Sequence, residues 1–209
     1  MPHLPSLIRS AALLGAAIAM VGGSRAQAQT FSSAYSSTSE KDCRKVAAFK
    51  VEGDDYASER VCPGPKGLLV LKQEDDMRET VSVGRTAKAA ELEPAAGQGF
   101  GPFNSTTDTI EWRLSAKGKP FAMIQRWHIA DNDDPDKDGR PQTKPMLVVT
   151  RLPPGAACHV AYVDVKANAN ANELARKAAD DGAQKFDCRR DRVAVLGSRG
   201  RAIDLAMPR

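Results

Sequence analysis

The chain has little of what motif-based catalysis requires. Only three of its 209 residues are histidine, and His3 is one of them, near the start of the chain. The sequence contains no Gly-x-Ser-x-Gly, no His-Glu-x-x-His and no Walker loop, which excludes the motif-defined hydrolases, zinc proteases and nucleotide triphosphatases. Carboxylate acid–base chemistry stays open, because 26 acidic residues offer many pairs.

Long apolar runs are missing after the start of the chain. Residues 11–21 form one short apolar stretch, about half of the roughly 20 residues that a membrane-spanning helix needs. Ala26-Gln27-Ala28 follows as a small-residue cleavage pattern, so residues 1–28 are predicted to be a secretory signal peptide, with a retained N-terminal anchor as the alternative. We therefore expect a periplasmic or secreted protein with no transmembrane segment in its mature chain.

A strong excess of either charge is lacking as well. The whole chain carries a formal net charge of +4, and loss of Arg9 and Arg25 with the signal peptide would leave +2. This balance is too small to indicate nucleic acid or a membrane surface as the partner. The partner expected in an exported setting is an unknown protein or a component of the cell envelope.

Cysteine is scarce, but its count is informative. Four cysteines follow the predicted signal peptide, and an even count in an exported chain indicates two disulfides, which can pair in three ways. A hairpin turning at Glu52-Gly53 would set Cys43 opposite Cys62, and a strand followed by a returning helix would bring Cys188 to Cys158. We predict these two pairs. The alternatives, a metal or redox site, lack a Cys-x-x-Cys pattern.

The stretch from residue 110 to residue 129 holds both tryptophans and reads as two strands joined by a tight turn at Lys117-Gly118. A two-residue turn predicts three cross-strand pairs: Leu114 with Phe121, Trp112 with Met123, and Ile110 with Gln125. One face of this hairpin is then almost wholly apolar, and Trp127 and Ile129 extend it. We expect the indoles to lie in the core rather than to form a sugar-stacking platform.

The other face of the same hairpin carries Glu111, Arg113, Arg126 and His128. These four are the candidate ligand-binding residues, because a cationic strand face can hold an anionic ligand. A cell-envelope hydrolase that uses Glu111 and His128 is a second hypothesis. The alternation of charged residues favours a structural interpretation over both, namely a ladder of cross-strand ion pairs on a half-exposed sheet.

Residues 131–139 form an acidic segment in which Asp134, Asp136 and Asp138 precede Gly139. This spacing matches the first half of a calcium loop, and it raises the hypothesis of a calcium-dependent structural or adhesive module. The second half does not fit, because Pro145 stands where a bidentate Glu is required. A solvated hairpin loop is therefore favoured over a Ca²⁺ site, and no other cofactor is indicated.

The remaining segments complete a predicted α+β fold with a predominantly antiparallel, sandwich-like β-sheet and one helix in the C-terminal region. Residues 29–41 are predicted to be a flexible lead-in, and residues 42–209 a single globular domain. Further strands are expected over five ranges: 68–72, 79–83, 146–152, 157–165 and 192–196. The helix is expected over 172–186, and a last short strand over 201–205.

Five short segments together resemble a group of exported bacterial proteins of unknown function: residues 62–67, 76–78, 111–114, 120–127 and 158–164. The resemblance implies a periplasmic or secreted setting and brings no activity or site residues with it. With two disulfides and no catalytic motif, the leading hypothesis is a non-catalytic periplasmic or secreted binding protein whose ligand the sequence does not name.

Overall fold

The computed structural model describes residues 30–50 and 56–207. The predicted signal peptide, residues 1–28, and the predicted turn at Glu52-Gly53 lie outside the described residues. Within the described ranges, none of the helices has the length and the apolar character needed to cross a bilayer.

The strands among the described residues are, in chain order, β1 (Ser32–Ser37), β2 (Arg44–Lys50), β3 (Tyr56–Pro63), β4 (Leu69–Asp75), β5 (Arg78–Gly84), β6 (Asn104–Leu114), β7 (Pro120–Pro135), β8 (Pro141–Arg151), β9 (Cys158–Asp164) and β10 (Ala194–Val195). The helices are α1 (Ala87–Glu91), α2 (Ala171–Ala178) and α3 (Arg201–Ala206). A π turn over Ala179–Ala183 continues α2. The predicted fold class, mostly antiparallel β with a helix in the C-terminal region, is confirmed, and α1 and α3 are short additions to it.

The strands form two sheets that enclose the main core. The larger sheet has the order β1-β6-β7-β8-β9-β10, and the smaller has the order β2-β3-β4-β5. Every pair of neighbouring strands is antiparallel except β9 and β10. Valines of the smaller sheet pack against Trp112, Met123, Trp127 and Ile129 of the larger sheet. Both indoles are fully buried, as predicted.

The opposite face of the larger sheet is covered by α2 and its π turn. The helix meets the sheet through alanines, all of them buried: Ala171, Ala175, Ala178, Ala179 and Ala183. Their sheet partners include Ile124 and Leu147. Small side chains let the helix approach the strands closely, so the polar residues at the rim of α2 reach the sheet surface.

The central hairpin keeps the predicted register in its middle and departs from it at the turn. Trp112 pairs with Met123 and Ile110 pairs with Gln125, as predicted. The predicted pairing of Leu114 with Phe121 is wrong, because a bulge after Arg113 pairs Leu114 with Pro120 instead. The chain turns through residues 115–119 rather than through two residues, and the N–H of Ser115 closes this loop by donating to the carbonyl of Lys119.

Both disulfides, Cys43–Cys62 and Cys158–Cys188, form as predicted. Strands β2 and β3 pair with the expected register near the cysteines, where Arg44 lies opposite Val61. A bulge before Ala47 shifts the rest by one residue, so Ala47 pairs with Glu59 rather than with Ser58, the partner that a hairpin without a bulge and with Cys43 opposite Cys62 would give it. Hydrophobic alternation carries no information about a bulge, which explains the one-residue error.

Two predicted segments differ from the structure. Residues 32–37, expected to lie within a flexible lead-in, form β1, which pairs along its whole length with β6. Residues 201–205, expected to be a strand, form most of α3. A strand would send Ala202 and Ile203 to opposite faces, whereas both are buried in the structure.

The start of α3 is fixed by contacts from distant parts of the chain. The backbone N–H of Ala202 donates to Oδ2 of Asp164 at 2.9 Å. The guanidinium of Arg201 donates to both oxygens of the buried Asp131 and to Asp133. An anion at the first helical turn favours the helix, and none of these partners is adjacent in sequence.

Candidate ligand-binding site

Glu111 lies on the α2 side of the larger sheet and is held by neighbours from two other elements. Arg176 of α2 donates to both of its carboxylate oxygens, at 2.7 and 3.1 Å, and the hydroxyl of Ser33 in β1 also donates to it. Burial would raise the pKa of Glu111, but these hydrogen bonds together lower the pKa below its usual value. Glu111 is therefore an ionised carboxylate at neutral pH.

Arg113, two residues further along β6, is nearly buried and is also neutralised. Its guanidinium forms a two-point ion pair with Asp180, with distances of 2.9 and 2.6 Å, and a further hydrogen bond to Ser33. The predicted ladder of cross-strand ion pairs is not found among the described residues, because Arg113 and Glu111 pair instead with side chains from the α2 segment. Arg113 therefore fastens the helix to the sheet.

Arg126 differs from both of these residues. It lies on β7 on the same face, half-buried, and its side chain makes neither an ion pair nor a hydrogen bond with any residue in the described ranges. It borders a cleft of about 400 Å³ between the sheet and the start of α2, which we call the α2 cleft. An unneutralised guanidinium beside such a space has five N–H donors available for a ligand.

The remaining lining of the α2 cleft is neutral and mixed in character. The buried side chains of Ile124 and Leu147 form an apolar floor. The polar positions are Thr107, Thr109, Asn172 and the ion pair of Glu111 with Arg176. Tyr35 of β1 stands at the margin with 60% of its surface exposed. Such a lining suits a small ligand with one anionic group and an apolar part.

His128 lies in a different place from the other candidate residues. It lines a second cleft of about 470 Å³, bordered by Met77, Phe103 and Arg140. The pKa of His128 is lowered, first by burial and then by the positive charge of Arg126. Glu111 and His128 line separate clefts, so the structure does not bring together the pair that the hydrolase hypothesis needs.

The acidic segment covers the end of β7 and the turn into β8, so residues 131–135, which were predicted to belong to a solvated loop, are part of a strand. Its carboxylates are held by other side chains and backbone groups, and Asp131 and Asp133 bind Arg201, as described above. Asp134 pairs with Lys144 and accepts a hydrogen bond from Gln142. Asp136 accepts from the backbone N–H groups of Asp138 and Arg140, at 2.8 and 2.9 Å. No group of three or more His, Cys, Asp or Glu side chains in the described ranges is placed to hold a metal ion, so the three predicted calcium ligands do not converge.

Two residues that line the α2 cleft were not identified as candidates from the sequence. Arg176 lies in the predicted helix, and Tyr35 lies in the segment that was expected to be a flexible lead-in. Both reach the site through pairings that span more than 60 residues of chain. The polar side of the α2 periodicity could have indicated Arg176, since it directly follows the buried Ala175 and therefore lies at the edge of the buried face of the helix.

One histidine is buried in the core, away from the candidate residues. His159 sits among Phe100, Trp127 and Tyr162, and its Nδ1 lies 2.8 Å from the Tyr162 hydroxyl. Its Nε2 has no hydrogen-bond partner among the described residues. Burial lowers the pKa of His159 to about 3, so the imidazole is neutral. It lines none of the clefts described above, and its place is the aromatic part of the core.

Comparison of the chain with protein-family models, with curated proteins and with solved structures finds no match.

Proposed function

We propose that the protein is a non-catalytic periplasmic or secreted binding protein whose α2 cleft takes a small ligand bearing a carboxylate. The single observation that carries this proposal is the guanidinium of Arg126, which is half-buried beside a cleft with an apolar floor and has no ion-pair partner among residues 30–50 and 56–207. Glu111 and Arg113, the two candidate residues on β6, each already form an ion pair.

The exported setting is part of the same proposal. Two disulfides indicate an oxidising compartment, and they are compatible with an extracytoplasmic protein. The signal peptide expected over residues 1–28 and the resemblance to exported bacterial proteins point to the same setting. No relative supplies a ligand, so the ligand class is derived from the lining of the cleft.

Binding is favoured over hydrolysis by the state of Glu111. A general acid needs a proton to give, and a general base needs a free lone pair near the substrate. The Glu111 carboxylate is ionised, and it is occupied by Arg176 and Ser33. Its role in this proposal is to hold Arg176 at the wall of the cleft while Arg126 contacts the ligand.

A matched pair of probes tests the proposal. N-acetyl-leucine offers a carboxylate and an apolar side chain, and N-acetyl-leucinamide has the same shape without the charge. We expect the acid, and not the amide, to raise the melting temperature and to give a calorimetric binding signal. Stabilisation by a ligand follows from its preference for the folded state.

Two variants with the same change in net charge complete the test. Arg126→Gln should abolish the response to the acid, because a charged hydrogen-bond partner is lost. Arg140→Gln, in the cleft that contains His128, should keep it. Equal stabilisation by acid and amide, or an unchanged response in the Arg126 variant, would contradict the proposal.

A further inference from the structure

One end of the molecule carries a cleft of about 560 Å³ that lies away from the α2 cleft. It is formed where the turn between β3 and β4, the residue after β5, the loop between β6 and β7, and the start of the β8–β9 connection come together. Its charged lining consists of Lys66, Arg85, Lys117 and Lys119. We call it the basic cleft.

The backbone that carries these cations is ordered by local contacts. In the β3–β4 turn, Gly64 donates to the carbonyl of Leu68 at 2.8 Å, and a Cβ on Gly64 would come within 3.2 Å of the Trp112 ring. The turn therefore rests on the buried indole. Arg85 follows Gly84, where only a glycine lets α1 pack against the end of β5, because a Cβ there would lie 2.5 Å from the N of Ala90.

Two further hydrogen bonds place the cations around the same space. The guanidinium of Arg85 donates to the carbonyl of Lys66 at 2.9 Å, which joins the two turns. The loop of Lys117 and Lys119 is closed by bonds between Ser115 and the backbone of residues 118 and 119, at 2.8 and 2.9 Å. Cations on fixed turns require little ordering when an anion binds.

The charge of the basic cleft is unbalanced. None of the described residues that line it is acidic, whereas the α2 cleft is lined by Glu111 and the cleft of His128 by Glu74 and Glu79. Within residues 30–50 and 56–207, none of the four cations forms an ion pair. A concave surface of one sign focuses the field, so the low net charge of the whole chain conceals a strongly positive end.

A neighbouring surface enlarges the same positive region. A cleft of about 450 Å³ around Cys188 is lined by Arg151, Lys185, Arg189 and Arg190, and Asp187 is the one acidic side chain among its described lining residues. Pro153 and Pro154 line the basic cleft, and Gly155 lines this second cleft, so one loop separates the two. The positive potential therefore spans both sides of the β8–β9 connection.

We propose that the basic cleft binds a phosphate group, either free or on a lipid headgroup. A phosphate monoester carries a charge of about −1.5 to −2 near neutral pH and presents three strong acceptor oxygens. Such a group can accept from several cations at once, and lysines bind it as point charges without the planar geometry that a carboxylate prefers. The four-sided cationic lining matches this ligand better than it matches a single carboxylate.

Two probes distinguish the sources of the phosphate. Inorganic pyrophosphate, titrated calorimetrically into the full chain, tests a free ligand. Co-sedimentation with phosphatidylcholine vesicles, with and without phosphatidic acid, tests a lipid headgroup. We expect binding in at least one of these two measurements, and we expect it to weaken steeply as salt is added.

The decisive variants remove two positive charges each. Lys117→Gln with Lys119→Gln changes the basic cleft, and Lys45→Gln with Lys137→Gln removes the same charge from exposed positions outside it. The first double variant should raise Kd about tenfold or more, which corresponds to about 1.4 kcal/mol, and the second should leave Kd nearly unchanged.

Each outcome bears on the proposal. Pyrophosphate binding with this variant pattern supports a free phosphate ligand, and binding that requires phosphatidic acid supports a headgroup. Absence of binding to both probes overturns the proposal. Equal weakening by both double variants also overturns it, because the attraction would then be a property of net charge and not of the basic cleft. None of these results depends on the α2 cleft.

Discussion

The two faces of the larger sheet are formed by the same strands but carry different kinds of side chain. Residues 126 and 127 are adjacent on β7, yet Arg126 points toward the α2 cleft and Trp127 toward the smaller sheet. The inner face is filled by large apolar side chains. The outer face combines alanines of α2 with the ion pairs of Glu111 and Arg113, and with Arg126, which has no such partner in the part of the chain that the structure describes.

The difference teaches how one sheet can serve both stability and recognition. Successive side chains of a strand point to opposite faces of the sheet, so the choice of residue at one position affects mainly the face to which that side chain points. Burial of the large apolar side chains on the inner face stabilises the fold. The outer face can then hold an unpaired cation at small cost, because that cation stays partly in water.

The largest expected effect separates these two neighbours directly. Trp127 is 1% exposed and packs edge-on against Phe100, with ring centroids 5.0 Å apart. Trp127→Ala should lower the free energy of unfolding by about 3–5 kcal/mol, because it leaves a large cavity. Arg126→Ala should change it by about 0.5 kcal/mol or less. Urea denaturation measures both, and similar losses would contradict the division between the faces.

The next effect concerns the attachment of α2. Asp180→Ala leaves the nearly buried Arg113 without its two-point partner, and it should cost about 1.5–3 kcal/mol. Its neighbour Asp181 pairs with Lys177 in solvent, so Asp181→Ala should cost about 0.5 kcal/mol or less. Urea denaturation of both variants measures these losses in the free energy of unfolding, and equal losses would mean that Arg113 does not anchor the helix.

Acid sensitivity should distinguish the two histidines. The pKa of His159 is lowered from 6.5 to about 3, so the unfolded chain takes up this proton first as the pH falls. The free energy of unfolding should therefore decrease below about pH 6.5, by about 1.4 kcal/mol per pH unit for this one group. We expect His159→Asn to flatten the slope between about pH 6 and 5, where most carboxylates have not begun to titrate.

His128 provides the control for that measurement. Its pKa is also lowered, so it contributes with the same sign, but it is only half-buried. His128→Asn should flatten the slope less than His159→Asn does. An equal or larger effect of the His128 variant would show that the outer face, and not the aromatic core, governs stability in mild acid.

The last pair of effects lies on β1, whose side chains contact both faces of the larger sheet. Ser36 accepts a hydrogen bond from Nε1 of Trp112 at 2.9 Å, and Ser33 bridges Glu111 and Arg113. Each change to Ala should cost about 1 kcal/mol. Only Ser33→Ala should also alter the binding of N-acetyl-leucine, because Ser33 helps to hold the charged groups beside the α2 cleft. Thermal melts and calorimetry on the two variants test this.

Much of the fold followed from local patterns. The alternation around Trp112 and Trp127 predicted the apolar face, and spacing arguments predicted both disulfides. The errors came at bulges, at the residues 115–119 loop and in α3, where contacts distant in sequence override local preference. The strand β1 was missed because its serines have low hydropathy, and only the edge of β6 specifies its place.

The site could be predicted only in part. Alternation placed Glu111, Arg113 and Arg126 on one face, but it could not supply Arg176 or Asp180, which arrive from α2. By the same alternation, His128 was predicted on this face as well. It lies in another cleft, because the sheet twists and because β4, β5 and the start of β6 border the part of β7 that carries His128. The basic cleft joins four turns and has no contiguous signature.

The order in which the cysteines pair has a consequence for biosynthesis. The first joins the second and the third joins the fourth, with separations of 19 and 30 residues. If the cysteines are oxidised in the order in which they are synthesised, the second cysteine of each pair finds only one unpaired thiol, that of its native partner. Native connectivity then needs an electron acceptor but no bond shuffling. The two disulfide loops do not overlap in sequence, so neither covalent link encloses the central hairpin of β6 and β7, which noncovalent contacts alone hold in place.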